Sequence, residues 1–317
     1  MRPWNQGTRS GVVLAAAVTF AACSGTSSPS TGTGTVSLAV SDTAAQHATH
    51  VCVEFTDIEF KRAGAENRVF VFDPPQKVNL LEYQGVDAAP LLVDEELEAG
   101  EYQWVRIGVN AERGAGNGAG AGPMDALDDC SGTGSYILFD EGPMHGLYIP
   151  SGAESGLKLN RGFTLPVNGS ADFVAEWDLM KTIHAPPGLE PDYIMRPTVR
   201  LMDQTRTGSI AGEVMALAMQ TGCMPSVYVF ETGVTPDDIE DDADDPAEDP
   251  VAAAMVAMRE EDGRFRYEVG PLLEGEYDVA FTCDEDDNSA DENLAFVLFA
   301  ENPVRVVAGQ QATANFD

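Results

Sequence analysis

Residues 97–109 have the sequence Leu97-Glu-Ala-Gly100-Glu-Tyr102-Gln-Trp-Val-Arg-Ile-Gly-Val109, in which a glycine is followed by alternating residue types. Period-two alternation rich in aromatic and β-branched residues predicts a β-strand with one buried face. The glycine predicts a tight turn that feeds this strand. A shorter copy of the pattern, Leu272-Leu-Glu-Gly275-Glu-Tyr277, occurs later in the chain and favours two related sheets.

Similar strand patterns occur throughout the rest of the chain, separated by turns rich in Gly, Pro, Asn and Asp. They predict an all-β fold with two β-sandwich-like domains, and 317 residues are enough for two cores. We place the first domain at residues 35–205 and the second at residues 206–317, and we expect a short helix near residues 78–83. The predicted strands are 36–40, 51–55, 69–72, 102–109, 136–139, 171–177 and 198–202 in the first domain, and 208–214, 227–230, 264–269, 277–281, 296–299 and 304–307 in the second.

The N-terminus has the order of a secretory signal. Arg2 and Arg9 precede an apolar run, residues 11–22, which ends in small residues before Cys23. This order of charged, apolar and small residues is typical of a signal peptide. The run is too short for a membrane-spanning helix, which needs about 20 apolar residues. We therefore predict that residues 1–22 are a signal peptide.

The end of this signal, Phe20-Ala21-Ala22-Cys23, resembles the bacterial lipobox, although Phe20 stands where leucine is usual. The resemblance implies that Cys23 is acylated, becomes the mature N-terminus and holds the protein on a lipid membrane. The alternative is an ordinary signal cleaved after Ala22, which leaves Cys23 as a free thiol. Residues 23–34 are rich in Ser, Gly and Thr and predict a flexible tether. Ser24 after the cysteine resembles the pattern for sorting to the outer membrane of a Gram-negative bacterium, so we expect a lipid-anchored protein of the cell envelope.

The net charge excludes one class of partner. The sequence has 52 acidic and 18 basic residues, which gives a formal net charge of −34. Nucleic-acid binding depends on Lys and Arg that neutralise phosphates, so we exclude DNA and RNA. An anionic membrane surface does not attract such a protein, so membrane attachment must be covalent or hydrophobic.

Four cysteines follow Cys23, and they divide evenly between the two predicted domains. Cys52 and Cys130 fall in the first, and Cys223 and Cys283 fall in the second. Outside the cytoplasm, disulfide bonds within each domain are expected. Zinc is the alternative, but no two of the four have the C-x-x-C spacing of a zinc site.

Two acidic runs, 237–249 and 284–292, raise the question of a Ca²⁺ site. Hard cations bind several carboxylate oxygens, and Asp284, Asp286 and Asn288 are weak candidates for such ligands. The alternative is a pair of solvated, self-repelling loops. The second run does not match an EF-hand, because Ser289 stands in the place of its turn glycine. We expect no cofactor, and calcium is the alternative.

The sequence contains neither a G-x-S-x-G nor an H-E-x-x-H motif. We assign no catalytic residues and expect that the protein is not an enzyme.

Several separated motifs in the first domain carry a family resemblance. Together they resemble bacterial lipoproteins of domain-of-unknown-function family 4382 over roughly residues 35–203. The family has no assigned chemistry, so the resemblance implies no activity. The motifs are Thr35–Asp42, Ser151–Phe163, Pro166–Phe173, Trp177–Lys181 and Arg196–Leu201.

The second domain resembles a transthyretin-like sandwich of the carboxypeptidase-regulatory type. The motifs are Gly208-Ser-Ile-Ala-Gly212, Asp262-Gly-Arg-Phe265 and Leu273-Glu-Gly-Glu-Tyr277. Sandwiches of this type are grouped by fold with carbohydrate-binding modules, and fold does not fix function.

These observations lead to three functional hypotheses. The first is an envelope-anchored, non-enzymatic protein that has a structural role or binds an unidentified glycan or protein. The second is a surface module that binds carbohydrate, with or without Ca²⁺, through exposed aromatic residues such as Trp104, Trp177 or Tyr228. The third is an enzyme with an unrecognised site.

Overall fold

The computed structural model describes residues 32–43, 48–112, 130–139, 144–150, 156–185, 192–196, 198–215, 222–239, 249–284 and 294–317. Residues Thr31–Asp317 form one compact unit. The predicted signal peptide, Cys23 and most of the predicted tether lie outside the described residues. No helix in the described ranges has both the length and the hydropathy that a membrane crossing needs.

The protein is all-β, as predicted, and its strands form two successive β-sandwiches. We call them the N-terminal sandwich (β1–β13) and the C-terminal sandwich (β14–β22). One short helix, α1 (Leu179–Thr182), follows β10. The strands are β1 (Thr33–Thr43), β2 (Ala48–Arg62), β3 (Arg68–Asn79), β4 (Ala89–Glu98), β5 (Gly100–Val109), β6 (Tyr136–Phe139), β7 (His145–Tyr148), β8 (Leu157–Leu159), β9 (Phe163–Leu165), β10 (Ser170–Asp178), β11 (Ile183–His184), β12 (Tyr193–Met195), β13 (Val199–Asp203), β14 (Thr207–Val214), β15 (Ser226–Glu231), β16 (Ala252–Met255), β17 (Ala257–Met258), β18 (Phe265–Leu273), β19 (Gly275–Thr282), β20 (Val297–Leu298), β21 (Val304–Val306) and β22 (Gln311–Thr313).

The N-terminal sandwich packs a four-stranded sheet, in the order β13-β10-β1-β4, against a larger sheet that contains β2 and β5. In the larger sheet the order is β11-β12-β7-β6-β2-β5-β8, with β3 on β2 and β9 on β5. β1 runs parallel to β10 and antiparallel to β4. Val36, Leu38 and Val40 alternate along β1 and point into a core where Trp177 meets Phe55 edge-on. The predicted disulfide joins Cys52 to Cys130.

The C-terminal sandwich has two smaller sheets. One has the order β17-β18-β14-β22, and the other has the order β16-β15-β19-β20 with β21 on β19. Ile210, Val229 and Val279 lie in its core and are inaccessible to solvent. The second predicted disulfide joins Cys223 to Cys283.

The repeated glycine–tyrosine motif forms the same structure in both sandwiches. It carries the chain from one sheet to the other, between β4 and β5 and again between β18 and β19. In each copy a tyrosine hydroxyl donates to the backbone carbonyl four residues earlier: Tyr102 to Glu98 at 2.7 Å and Tyr277 to Leu273 at 2.9 Å. The hydrogen bond fixes the corner and satisfies a carbonyl that no neighbouring strand reaches.

Several local expectations differ from the structure, among them short strands such as β7, β16 and β22 that were not predicted, and three of the differences have a visible cause. The helix expected near residues 78–83 is the end of β3 followed by a single 3-10 turn, Leu80–Glu82. β1 begins at Thr33, inside the predicted tether, because Gly34 packs against the turn at 166–169. β4 was not predicted, because its exposed acidic residues and a register shift against β1 interrupt the alternation.

Candidate functional site

The short helix α1 connects the core of the N-terminal sandwich to a hydrophobic cluster on the outer face of the C-terminal sheet β16-β15-β19. It starts directly after β10, where the Asp178 side chain accepts a hydrogen bond from the backbone N–H of Lys181 at 3.2 Å. Leu179 points into the core of the N-terminal sandwich. Met180 points the other way and packs with C-terminal residues. That cluster contains Tyr228, Phe230, Ile239, Ala253 and Ala280.

An ion pair lies beside this packing contact. The Lys181 Nζ donates to Asp249 Oδ2 at 2.6 Å and to the Pro250 carbonyl at 3.3 Å. The two charged side chains are about one-fifth exposed, 19% and 21%. Water therefore screens this pair less than a surface pair, and it joins α1 to the segment that leads into β16.

A second ion pair, in which only the carboxylate is fully buried, joins β10 and β13. Glu176 is inaccessible to solvent and receives two hydrogen bonds from Arg200, Nε to Oε2 at 2.7 Å and Nη2 to Oε1 at 2.8 Å. The two residues are direct cross-strand partners. Burial acts to lower the pKa of Arg200, but the Glu176 carboxylate outweighs it and holds this pKa above its ordinary value.

Two further buried carboxyl groups, Asp178 and Asp42, lie near this pair. Burial, reinforced by the negative charge of Glu176, raises the pKa of Asp178 to about 6, against the opposing effect of Lys181. Burial also raises the pKa of Asp42 well above its ordinary value, and the charges of Asp178 and Glu176 add to this shift. The junction thus contains two carboxyl groups that bind protons more tightly than ordinary aspartates do.

Asp42 is the least satisfied of these groups. It continues the inward-facing series of β1, and its direct partner across the strands is Trp177. Within the described part of the chain, the two carboxylate oxygens of Asp42 make no hydrogen bond. The indole nitrogen of Trp177 makes none either. The Gln84 side chain and the Leu179 N–H approach the carboxylate closely enough to moderate its pKa, but without hydrogen-bond geometry.

A cleft of about 400 Å³ opens beside the junction, lined by residues of both sandwiches. Ser41 and Val174 of β1 and β10 lie on its floor with Ser209 and Pro271. Its exposed rim carries side-chain amides. They belong to Gln204, Gln310 and Gln311.

Glu268 is the one charged residue among the described residues that line this cleft. Its Oε1 accepts hydrogen bonds from Ser209 Oγ at 2.9 Å and from Gln311 Nε2 at 2.8 Å. Gly85 lies against the Glu268 side chain, so closely that a Cβ at this position would stand 2.8 Å from Glu268 Cγ. The carboxylate is therefore held in place from three sides.

The predicted ligand and lipid sites fall largely elsewhere. Cys23, Asp286 and Asn288 lie outside the described residues. Asp284 is described, and its Oδ2 accepts a hydrogen bond from the Ala295 backbone at 2.8 Å. In the described ranges, no three His, Cys, Asp or Glu side chains come together as metal ligands. The calcium hypothesis therefore gains no support from Asp284.

The aromatic residues expected to bind sugars are mostly buried. Trp177 and Tyr228 are both inaccessible to solvent, so the expectation that they form a glycan-binding surface was wrong. Trp177 lies in the N-terminal core, and Tyr228 lies in the cluster that receives Met180. Trp104 is partly exposed, with the Arg106 guanidinium 4.8 Å and the Lys158 Nζ 4.9 Å from its ring centre.

The sequence contained a signal for Asp42 that the sequence-based interpretation missed. Val36, Leu38, Val40 and Asp42 share one period-two series, so an acidic residue continues an apolar strand face. The partners of Met180 and Lys181 had no comparable signal, because they lie 48 to 100 residues away in sequence.

Comparison with known proteins gives one family and several distant structures. A family model described as a domain of unknown function (DUF4382) matches residues 33–197, which is more than half of the chain and ends just before β13. No curated protein matches the sequence.

Three solved structures share 9–11% identity with this chain. The Bacillus anthracis TIE protein has 9% identity, covers 90% of this chain and has a TM-score of 0.20, and this chain spans about a third (34%) of its length. GBS52, the minor pilin of Streptococcus agalactiae, has 10% identity, coverages of 88% and 94% and a TM-score of 0.17. The major pilin of Streptococcus pyogenes has 11% identity, coverages of 90% and 96% and a TM-score of 0.16. Scores this low carry no inference about function.

Proposed function

The chain belongs to the DUF4382 family, and on that premise we propose that it is a bacterial lipoprotein of the cell envelope with a non-enzymatic structural or binding role. In this proposal residues 1–22 are removed and the acylated Cys23 holds the protein on the membrane. Residues 23–32 then tether a body that begins at β1. The body is divided near residue 205 into the family domain and a transthyretin-like sandwich.

The observation that carries the structural role is the packing of Met180 against the outer face of the C-terminal sheet β16-β15-β19. Its side chain is 7% exposed, and the neighbouring Lys181–Asp249 pair adds a polar contact at the same junction. A junction with both apolar packing and an ion pair resists bending between two domains more than a flexible linker does. The two sandwiches therefore move together as one unit, which suits a structural or surface-displaying protein of the envelope.

The burial of the unusual carboxyl groups supports a non-enzymatic role. An enzyme places groups with shifted pKa values in an open cleft, where they reach a substrate. Here Asp42 is inaccessible to solvent and Asp178 is 6% exposed, and neither lines the cleft beside them. The shifts follow from burial within a structural junction.

The anchor is tested by cell fractionation of a bacterium that produces the protein. Wild-type protein is expected in the membrane fraction, and the Cys23→Ser variant is expected to lose membrane association or to remain as an uncleaved precursor. A Cys223→Ser variant is the matched control, because it also replaces one cysteine by serine but leaves the lipobox intact. A Cys23→Ser variant that has lost residues 1–22 and is still as membrane-associated as the wild type would contradict the proposal.

A further inference from the structure

The cleft between the sandwiches has the composition of a small binding site. Its volume of about 400 Å³ falls within the range of ligand pockets, roughly 300–1,000 Å³. Val174 and Pro271 give the floor apolar surface, while the rim is formed by glutamine side chains. Ligand pockets commonly occur between domains and combine apolar walls with a few oriented polar groups.

Glu268 lines this cleft, and one of its two carboxylate oxygens has no hydrogen-bond donor among the described residues. Ser209 and Gln311 both donate to Oε1, whereas Oε2 makes no hydrogen bond to another described residue. A carboxylate fixed by two donors on one oxygen presents the other in a defined direction. It therefore needs little reorganisation to accept a donor from a ligand.

Ser41 supplies a second polar group that has no hydrogen-bond partner among the described residues. Its side chain lines the cleft and is fully buried, and its Oγ has no hydrogen-bond partner within the described ranges. A buried hydroxyl without a partner costs free energy, which a ligand atom that bonds to it recovers. The hydroxyl and the Glu268 carboxylate belong to different sandwiches, so a ligand that meets both bridges the junction.

The charge of the cleft selects the ligand. Glu268 is the one charged group on its described lining, and the whole chain has a net charge of −34. An anionic ligand is repelled at long range and finds no cation in the cleft. A cleft lined by one sign of charge raises the local concentration of the opposite sign. The fitting ligand is a cation.

From these contacts we infer that the cleft binds a primary alkylammonium group, either of a free amine or of a lysine side chain on another protein. An ammonium group has three N–H donors and no acceptor. Glu268 Oε2, Ser41 Oγ and a rim glutamine oxygen are acceptors for them, while the methylene chain contacts Val174 and Pro271. This site does not depend on the lipid anchor.

A second copy of this chain is not the source of the lysine. The sequence has four lysines, and each is engaged within its own chain. Lys77 pairs with Glu54 at 3.2 Å and Lys181 with Asp249 at 2.6 Å. Lys61 donates to the Ala65 carbonyl at 3.1 Å, and Lys158 lies over the Trp104 ring.

Calorimetric titration of the full-length protein tests the site with two cations and one neutral analogue. Cadaverine represents a free amine, Nα-acetyl-lysine methylamide represents a protein side chain, and pentane-1,5-diol has the same length without charge. One or both cations are expected to bind with one-to-one stoichiometry, and the diol is expected to bind at least about tenfold more weakly, since hydrogen bonds to charged groups contribute about 1.5–3 kcal/mol. The cation that binds more tightly shows whether the natural ligand is a free amine or a lysine side chain.

Variants separate the cleft from general attraction to an acidic surface. Glu268→Gln keeps an oxygen for Ser209 and Gln311 but removes the charge, and it is expected to weaken the cation about tenfold or more. Glu276→Gln removes the same charge from an exposed position of β19 outside the cleft and is expected to have no effect. If Glu268→Gln does not fold, Ser41→Ala serves instead, with an expected loss of about fivefold.

Three results would overturn the assignment. The first is equal binding of the diol and the cations. The second is equal weakening by Glu276→Gln and Glu268→Gln, which would show diffuse counterion attraction. The third is the absence of saturable binding by both cations.

Discussion

Asp42 and Trp177 are direct cross-strand partners at the end of the N-terminal core, and both side chains are inaccessible to solvent. Among the described residues, neither the carboxylate of Asp42 nor the indole N–H of Trp177 has a hydrogen-bond partner. A buried charge without a partner is costly, so the folded state favours the protonated acid. The junction is therefore most stable at a pH at which Asp42 and Asp178 are both neutral.

Replacing Asp42 by asparagine is expected to stabilise the protein at neutral pH. The amide has a similar shape and no charge, so the free energy of unfolding at pH 7 should rise by about 1–2 kcal/mol. Below about pH 4 the wild-type acid is itself protonated in both states, and the difference should disappear. Urea unfolding of both proteins at pH 7 and pH 4 measures it. A variant that is less stable at pH 7 would show that the carboxylate has a native partner.

Asp178 predicts a pH dependence with a definite sign. Its folded-state pKa of about 6 lies above its ordinary value of 3.8, so the folded protein binds this proton more tightly than the unfolded chain does. The stability from this group is fully present below about pH 4 and is lost as the pH rises through 6. The loss is of order 2–3 kcal/mol, because one pKa unit is about 1.4 kcal/mol.

The Asp178→Asn variant isolates this contribution from the many surface carboxylates. Asparagine still caps α1, because its side-chain oxygen accepts the Lys181 N–H. The difference in unfolding free energy between variant and wild type should grow in favour of the variant from pH 4 to pH 7. A difference that does not change with pH would contradict the assigned shift.

Truncating Met180 should weaken the contact between the sandwiches. Met180→Ala removes a side chain packed among Tyr228, Phe230 and Ala280, and such buried truncations cost about 2–5 kcal/mol. We expect lower stability and a separation of the single unfolding transition into two, measured by calorimetry. Met258→Ala, at a position 56% exposed on β17, is the control and should change stability by less than about 0.5 kcal/mol. Equal effects of the two variants would argue against a role for Met180 at the junction.

The Lys181–Asp249 pair should contribute more than a surface pair. A double-mutant cycle with alanine at both positions is expected to give a coupling of about 1 kcal/mol, because the side chains are only about one-fifth exposed. The Arg206–Glu274 pair, about half exposed at 3.2 Å, is the comparison and should give about 0.5 kcal/mol or less. If the exposed pair couples more strongly than the buried one, Lys181 does not stabilise the junction.

The sequence predicted the repetitive part of the fold and not the contacts that depend on tertiary structure. Alternation predicted strands such as β1 and β5, and the glycine–tyrosine motif predicted the turns before β5 and β19 but not that the chain changes sheet at them. β4 was not predicted, because a bulge against β1 and the left-handed backbone of Asp94 (φ 50°) interrupt its alternation of buried and exposed residues.

The residues of the junction were harder to predict for a different reason. Met180 and Glu268 become significant only where segments distant in the chain meet, and a local pattern does not encode such meetings. Trp177 and Tyr228 show the same limit. An aromatic residue in a strand fits the same alternating pattern whether its side chain is buried or forms a binding surface. Trp177 and Tyr228 both proved to be buried.

The central claim, that this is a lipid-anchored envelope protein, is tested most directly by the intact mass of protein purified from the membrane fraction. The account predicts a mass that lacks residues 1–22, gains the acyl groups on Cys23 and loses four hydrogens to the two disulfides. A mass that begins at Cys23 without acylation, or that retains residues 1–22 while the protein remains membrane-bound, would contradict it.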